Sequence, residues 1–361
     1  METFSTMEMP NMEILQETTF QKAKTKSLLI AGKYLSFNPT KAQKIKECGD
    51  YLEFMLKKNE ETGEEKRKLY RMNSCHDRFC SLCNDRKRLK RSKLFFDALC
   101  ELNASQDLRY ISLTLTIKNC ELKQLRATIK DMNKAYFKMS RTKRYKNAIL
   151  GSMRVLEYTI NHEENTIHPH FHVALAVDPS YYDKKLDKYI KQKTWREMWK
   201  KALKVDYLPQ VNVKDFKPKN HESKNQEATP EEAYSAAVCE FFKYTQKDTD
   251  IAPLNDEDFQ ELTNQLRNLR VINCAGIFKG VLQDKLKEAE QGDLVHINEE
   301  NQETDKWKPI ALYRYKFENG VYVLESISDP PEEMTSEQKE LLALSRICKY
   351  ARENFTLVDF I

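Results

Sequence analysis

Three of the seven histidines in this 361-residue chain fall together in the stretch HPHFHVALA, residues 168 to 176, where His168, His170 and His172 alternate with Pro169 and Phe171. Successive side chains of a β-strand point to opposite faces, so the three imidazoles share one face and Phe171, Val173 and Leu175 take the other. The pattern describes a half-buried strand with imidazoles on its open side. RVLEYTI at 154 to 160 also has strand character, and the polar NHEENT between the two suits a hairpin turn. If residues 160 and 167 pair, Glu157 lies opposite His170, and any other even loop length keeps it on the histidine face. Two imidazoles at i, i+2 with a cross-strand carboxylate make a mixed nitrogen and oxygen site for a divalent ion, with room for an oxygen substrate. Taken alone, HxH is also compatible with plain exposed histidines on a sheet.

A second constellation lies in AAVCEFFKYTQK, 236 to 247, downstream of the helix-start signal of Pro230, Glu231 and Glu232. On a helical wheel Tyr234, Val238, Phe241 and Phe242 cluster on one face. Glu240, Tyr244 and Lys247 fall on the other, at i, i+4 and i+7. A phenol with its ordinary pKa of about 10 is a poor nucleophile, but a neighbouring cation and a metal-polarised phosphate make its attack feasible. The bland alternative is a solvated helix face with one i, i+4 contact.

Nine cysteines in a chain without a signal-peptide pattern are expected as thiols, so regular spacing points to metal before disulfide. CHDRFCSLC brings Cys75, Cys80 and Cys83 together, and Cys48 in KECGDYL supplies a fourth candidate ligand. Cys80-x-x-Cys83 lets two thiolates chelate one tetrahedral Zn²⁺, and the set of four closes a structural site, with His76 as a substitute candidate. Cys100, Cys120, Cys239, Cys274 and Cys348 lack such spacing and read as small apolar residues.

The net charge is only +5, but the cations are clustered. RKRLKRSK at 86 to 93 has six cations in eight residues, which makes Arg86, Lys87, Arg88, Lys90 and Arg91 candidate phosphate contacts. RTKRYKN adds Arg141, Lys143 and Arg144, and the stretch 181 to 204 interleaves cations with Tyr and Trp. Such mixtures suit phosphate contact together with base stacking. Lys-rich outer faces of ordinary amphipathic helices give the same composition. Acidic stretches near 286 to 305 and 328 to 340 make the C-terminal part the less suited to DNA. No 18-residue apolar run occurs, so a soluble, cytoplasmic, non-membrane protein is expected.

These marks must be positioned by a fold. The expected class is α+β: a central antiparallel sheet flanked by helices, an N-terminal zinc-binding module and a small C-terminal extension. A polar N-terminal arm is expected over 1 to 34, the basic zinc module over 35 to 98, the sheet domain over 105 to 285, and an extension of unassigned role over 286 to 361. LRYISLTLTIKN at 108 to 119 reads as a strand with Ile111, Leu113 and Leu115 on one face. Helices are expected at about 120 to 140, 183 to 203 and 336 to 354, a short strand at VNV near 211, and a hairpin about Asn319-Gly320 within 313 to 327.

YISLTLT, HPHFHV and EFFKYTQK, in that order, resemble the three motifs of the plasmid rolling-circle replication initiators of the HUH endonuclease superfamily. CHDRFCSLC before them and RVINCAGIFKG at 270 to 280 after them resemble the branch found on small bacterial plasmids, and the likeness spans roughly residues 35 to 285. It implies a divalent metal, Mg²⁺ or Mn²⁺, on His170, His172 and Glu157, with His168 a further candidate. It implies Tyr244 as the nucleophile that forms a 5′-phosphotyrosine, with Lys247 assisting. Some relatives carry a second tyrosine where this chain has Glu240, which resembles the branch in which a glutamate activates water for the terminating cut. The implied partners are plasmid origin DNA, as hairpin loop and flanking duplex, host helicase and polymerase, and as a candidate a second copy of the chain. A mobilisation relaxase or transposase would use the same chemistry, and a zinc-containing repressor would need only the zinc and basic patches. A helicase of its own is disfavoured, because no G-x-x-x-x-G-K-[ST] occurs.

Overall fold

The computed structural model describes residues 19–216, 251–292 and 306–331, together with residues 15, 238, 241, 242, 294 and 295. In chain order the elements are α1 (Thr19–Tyr34), α2 (Pro39–Glu47), β1 (Tyr51–Asn59), β2 (Glu65–Met72), α3 (Ser81–Ser105), β3 (Arg109–Thr116) and β4 (Cys120–Glu121). There follow α4 (Leu125–Ser140), α5 (Lys143–Ala148), β5 (Gly151–Asn161), β6 (Thr166–Val177), α6 (Gln192–Leu203) and β7 (Val211–Asp215). The chain continues through α7 (Asp256–Leu266), β8 (Ile272–Gly276), α8 (Ile277–Gln291), β9 (Trp307–Glu318) and β10 (Val321–Ser328). The class is α+β, as expected, with antiparallel sheets flanked by helices.

The central sheet runs β7-β3-β6-β5-β8, with β4 added to β6, and every pairing is antiparallel. Period-two alternation in β3 and β6 sends Ile111, Leu113, Leu115, Phe171 and Val173 to one side. There they are buried with Ile129, Met132 and Tyr136 of α4 and Trp195 and Trp199 of α6. The opposite side packs Met153, Val155 and Ala174 with Phe95 and Leu99 of α3 and Phe278 and Leu282 of α8. Each fully buried large apolar side chain contributes about 1.5–3 kcal/mol. The two cores together therefore pin the sheet in one register.

At the β5–β6 turn, the Asn161 side chain accepts the backbone N–H groups of Glu163 and Glu164, and Asn165 adopts a left-handed φ of 50°. Ile160 consequently pairs with Ile167, and Glu157 with His170. At the other edge, β8 reaches β5 through Gly276, whose φ is 60° and whose missing Cβ would lie 2.1 Å from the Leu150 carbonyl oxygen. Only glycine allows that approach.

The helix expected from about residue 183 begins instead at Gln192. Asp187 takes a left-handed φ of 47°, and the Arg144 guanidinium holds the Asp187 carboxylate and the Tyr189 carbonyl oxygen, so the backbone before α6 cannot wind as a helix. The expected polar arm also differs, since its second half forms α1. Ala23, Ile30, Ala31 and Tyr34 are buried with Ala42 and Ile45 of α2, although the lysines among them mask the stripe in the sequence. Lys24, 1% exposed, donates to the carbonyls of Lys46 and Cys48 and to the Asp50 carboxylate.

The C-terminal hairpin turns at Asn319-Gly320 as expected, with φ values of 49° and 86° at the two residues. Rather than standing apart, it builds a second sheet with the N-terminal strands, ordered β10-β9-β1-β2. Buried Tyr322 donates from its hydroxyl to the Gly49 carbonyl oxygen at 2.7 Å. The helix expected at 336 to 354 lies outside the described residues. Tyr322→Phe leaves that carbonyl without its partner and should cost about 1–2 kcal/mol in a chemical denaturation experiment.

Candidate metal centre and nucleic-acid face

Glu157 on β5 faces His170 and His172 on β6, on the side of the sheet away from α4. Its Oε2 lies 3.4 Å from His170 Nε2 and 3.2 Å from His172 Nε2. The three form one of two groups of potential metal ligands among the described residues. Metal–ligand bonds of about 2.1 Å separate neighbouring ligand atoms by about 3.0–3.4 Å, depending on geometry, so the spacing fits one divalent ion. The tautomers fit too. Nδ1 of His170 lies 3.2 Å from the His168 carbonyl oxygen, and Nδ1 of His172 lies 3.3 Å from the Thr114 hydroxyl. An N–H donated from Nδ1 leaves each Nε2 lone pair directed at Glu157.

Burial works against the Glu157 carboxylate, but hydrogen bonds from His170 and His172 outweigh it and bring the group down to about 2. The charged form is thus the one that this site retains. His168 shares the face and stacks on His170 with ring centroids 5.5 Å apart, yet it is not part of the ligand group. Burial and the neighbouring His170 lower its pKa. Thr114 escaped the sequence reading, although the β3–β6 register that pairs it with His172 follows from the alternation of both strands.

Glu240, Tyr244 and Lys247 lie outside the described residues. Val238, Phe241 and Phe242 of the same segment are described, helical and buried in the core beneath α3. The Phe241 ring centroid lies 6.4 Å from that of His172.

The second ligand group is Cys48, Cys75, Cys80 and Cys83. Cys48 caps the end of α2, Cys75 follows β2, and Cys80 and Cys83 open α3. Their Sγ atoms are 3.6 Å apart for Cys48–Cys83 and Cys48–Cys80, and 3.8 Å for Cys75–Cys83. A tetrahedron with Zn–S bonds of about 2.3 Å has edges of about 3.8 Å, so the cluster has the size of a zinc site. Hydrogen bonds from Cys48, Cys75 and Cys83 hold Cys80 well below the usual thiol range, while hydrogen bonds to the other three push Cys48 up. Four buried thiols cannot all ionise without a cation among them, and Zn²⁺ would resolve that conflict. His76 stays outside the group. Ser27 of α1 touches Cys80 Sγ at 3.3 Å, a contact invisible in the sequence. Of the remaining cysteines, Cys100 is exposed rather than packed, Cys120 and Cys274 are half-buried, and Cys239 and Cys348 are outside the described residues.

The basic run of α3 is not one outer face. Arg86 donates to the carbonyls of Leu294 and Val295, Lys87 to that of His76, and both Lys87 and Arg91 are buried. The expectation of a continuous cationic face there is corrected, because α3 is covered on one side by α8 and on another by α1. Arg88 and Lys90 are half-exposed. Arg141, over the Phe137 ring at 4.2 Å, and Lys143 are exposed, whereas Arg144 pairs with Asp187. Among the described residues no helix is long and apolar enough to cross a membrane.

Residues 66–323 match the profile of a family described as "Replication protein" (Rep_1). A "Protein rep" of Bacillus amyloliquefaciens is 37% identical over 279 residues, 73% of this chain and 78% of that one. Another, from Bacillus sp, is 38% identical over 273 residues, 71% of this chain and 85% of the relative. A third, from Streptococcus pneumoniae serotype 2, is 31% identical over 290 residues, 80% and 86% of the two chains. No solved structure matches.

Two outcomes follow from the ligand geometry. His172→Ala should greatly weaken Mn²⁺ binding and Thr114→Val should weaken it about 10–100-fold, the usual range for a residue that orients a ligand. His162→Ala, exposed in the hairpin turn, should leave the titration unchanged. Natively purified protein should contain zinc by elemental analysis, and Cys80→Ser with Cys83→Ser should remove it and unfold the region around α1 to β2.

Proposed function

The chain belongs to the replication protein family of the plasmid rolling-circle Rep proteins, and from that premise we propose that it initiates replication by nicking one strand of plasmid origin DNA. The supporting observation is the buried Glu157, His170 and His172 triad, with the Phe241 ring 6.4 Å from His172. Phe241 lies three residues before Tyr244 in the sequence, so the proposed nucleophile belongs to a segment anchored at the triad.

When bound on these three residues, Mg²⁺ or Mn²⁺ would supply Lewis acidity at a non-bridging oxygen of the scissile phosphate. Tyr244 attacks phosphorus through its phenolic oxygen and releases its proton, with Lys247 stabilising the developing phenolate. The bond from phosphorus to the 3′ oxygen breaks, and that oxygen leaves as the 3′-hydroxyl primer. The 5′ end remains on the enzyme as a phosphotyrosine. After one round of synthesis by host helicase and polymerase, Glu240 takes a proton from water at the regenerated origin, and the water makes the terminating cut. Arg88, Lys90, Arg141 and Lys143 are assigned to the DNA backbone. The zinc module, spanning about 35 to 98, is assigned to origin recognition, and the endonuclease unit to about 105 to 285.

Tyr244→Phe removes only the attacking oxygen. Incubation with supercoiled origin plasmid and Mn²⁺ should then give no covalent adduct, while origin affinity changes by about 0.5 kcal/mol or less. An adduct that persists in this variant would move the nucleophile elsewhere. Glu240→Gln should keep the first nick and the adduct but lose hydrolytic termination, so that multimeric single strands accumulate. Loss of the first nick instead would assign Glu240 to folding or to the ion.

A further inference from the structure

Next to the metal centre, on the far side of β5, lies a cavity of about 170 Å³. A single water needs about 10–15 Å³, so a ligand of many atoms fits. Its walls come from segments far apart in the chain: the start of α3 and the loop before it, Leu156 and Tyr158 of β5, the connection from α7 to β8, and one face of α8. Leu156 and Tyr158 flank Glu157 on the strand and point the opposite way. The nicking chemistry uses none of these side chains.

Two chemistries divide the lining. Arg78, Lys87, Arg91, Arg270 and Lys287 supply positive charge, and no carboxylate is among the lining residues. Arg78 donates to the carbonyls of Leu266 and Leu269, and Lys87 to that of His76. These neutral acceptors hold both side chains in place and leave their charge intact. Leu156, Leu269, Val271, Ile272 and Leu286 form an apolar wall completed by the Tyr158 ring. Inorganic phosphate alone would leave that wall unused, and a purely apolar ligand would leave the cations unmatched. Lys87 and Arg91 are each only 7% exposed, so an anion reaching them exchanges water for fixed donors in a low-dielectric site.

We propose that this cavity binds a nucleoside phosphate, with the base against Tyr158 and the leucines and the phosphate on Arg270 and Lys287 at the exposed rim and on Arg91 within. The same chemistry has two sources: a free nucleotide, or one nucleotide of the origin strand turned out beside the nicking site. Only the second source rests on the proposed function.

The test uses the full-length, zinc-loaded protein in two arms. In the first, without Mg²⁺ or Mn²⁺ and without DNA, a fluorescent adenosine mononucleotide is titrated. In the second, an origin-loop oligonucleotide carrying 5-iodouracil is irradiated on the protein and the cross-linked peptide is identified. Arg270→Glu with Lys287→Glu, both on exposed positions, is run beside the parent, with zinc content and thermal unfolding as controls for folding. Arg270→Lys serves as the conservative variant. Saturable nucleotide binding that weakens at least about tenfold on charge reversal, about 1.4 kcal/mol, and survives in Arg270→Lys supports a free nucleotide. A cross-link at Tyr158 that the charge reversal removes, without free-nucleotide binding, supports the strand. Binding indifferent to charge reversal, or neither signal, overturns the proposal. The first arm contains no scissile strand, so a protein that fails to nick still answers it. Conversely, a protein that nicks normally and gives neither signal loses the cavity and keeps its function.

Discussion

Glu157 and His170 face each other because β5 and β6 are paired continuously from Gly151↔Ala176 to Asn161↔Thr166 in a single register. A slip of one residue would turn the carboxylate into the α4 side and push Phe171 and Val173 toward the ligand face. The apolar side forbids that slip. Phe171, Val173, Leu156 and Leu113 are buried together, and exposing any one costs about 1.5–3 kcal/mol. The same pairing carries a group that folding alone would reject. A carboxylate only 4% exposed is expensive to bury, and the imidazoles that meet it, or an ion between them, offset that cost. The ligand set is therefore sustained by the hydrophobic face behind it.

The second sheet shows a different economy of construction. Its strands come from both ends of the chain, with β1 hydrogen-bonded to β2 on one side and to β9 on the other. A zinc tetrahedron beside this sheet draws ligands from the end of α2, the segment after β2 and the start of α3. Helix α3 is shared by both units. Its first turn carries Cys83, and Phe95, Leu99 and Leu102 farther along it pack under the central sheet. A continuous helix is stiff, so the zinc site and the metal-binding strands hold a defined relation through it.

Charge follows the same division between surface and interior. The cations of α3 look equivalent as a string of letters. In the fold Arg86 and Lys87 satisfy backbone carbonyls, Lys87 and Arg91 turn into a cavity, and Arg88 and Lys90 remain open to solvent on one side. A long helix packed on two partners has no single outer face, and each cation takes the environment of its own position on the wheel.

The chemistry of the candidate site was legible in the sequence because its residues lie close together in the chain and obey short periods. HxH, the polar turn and Glu157 need only alternation and one hairpin, and the structure pairs Ile160 with Ile167 as that reading required. CHDRFCSLC announces a metal by its spacing, and NG announces the second hairpin. Thr114, Ser27 and Lys24 support these sites from strands and helices tens of residues away, and no local period marks them. The start of α6 was misplaced because Arg144, distant in sequence, occupies the carbonyl and carboxylate of the segment before it. Tertiary structure alone also decided that α1 is a packed helix, that β9 completes the N-terminal sheet, and that five cations from three separate stretches converge on one cavity. Local sequence determines which way a side chain points on its own element. Which distant element it meets depends on how buried surfaces are shared across the whole chain.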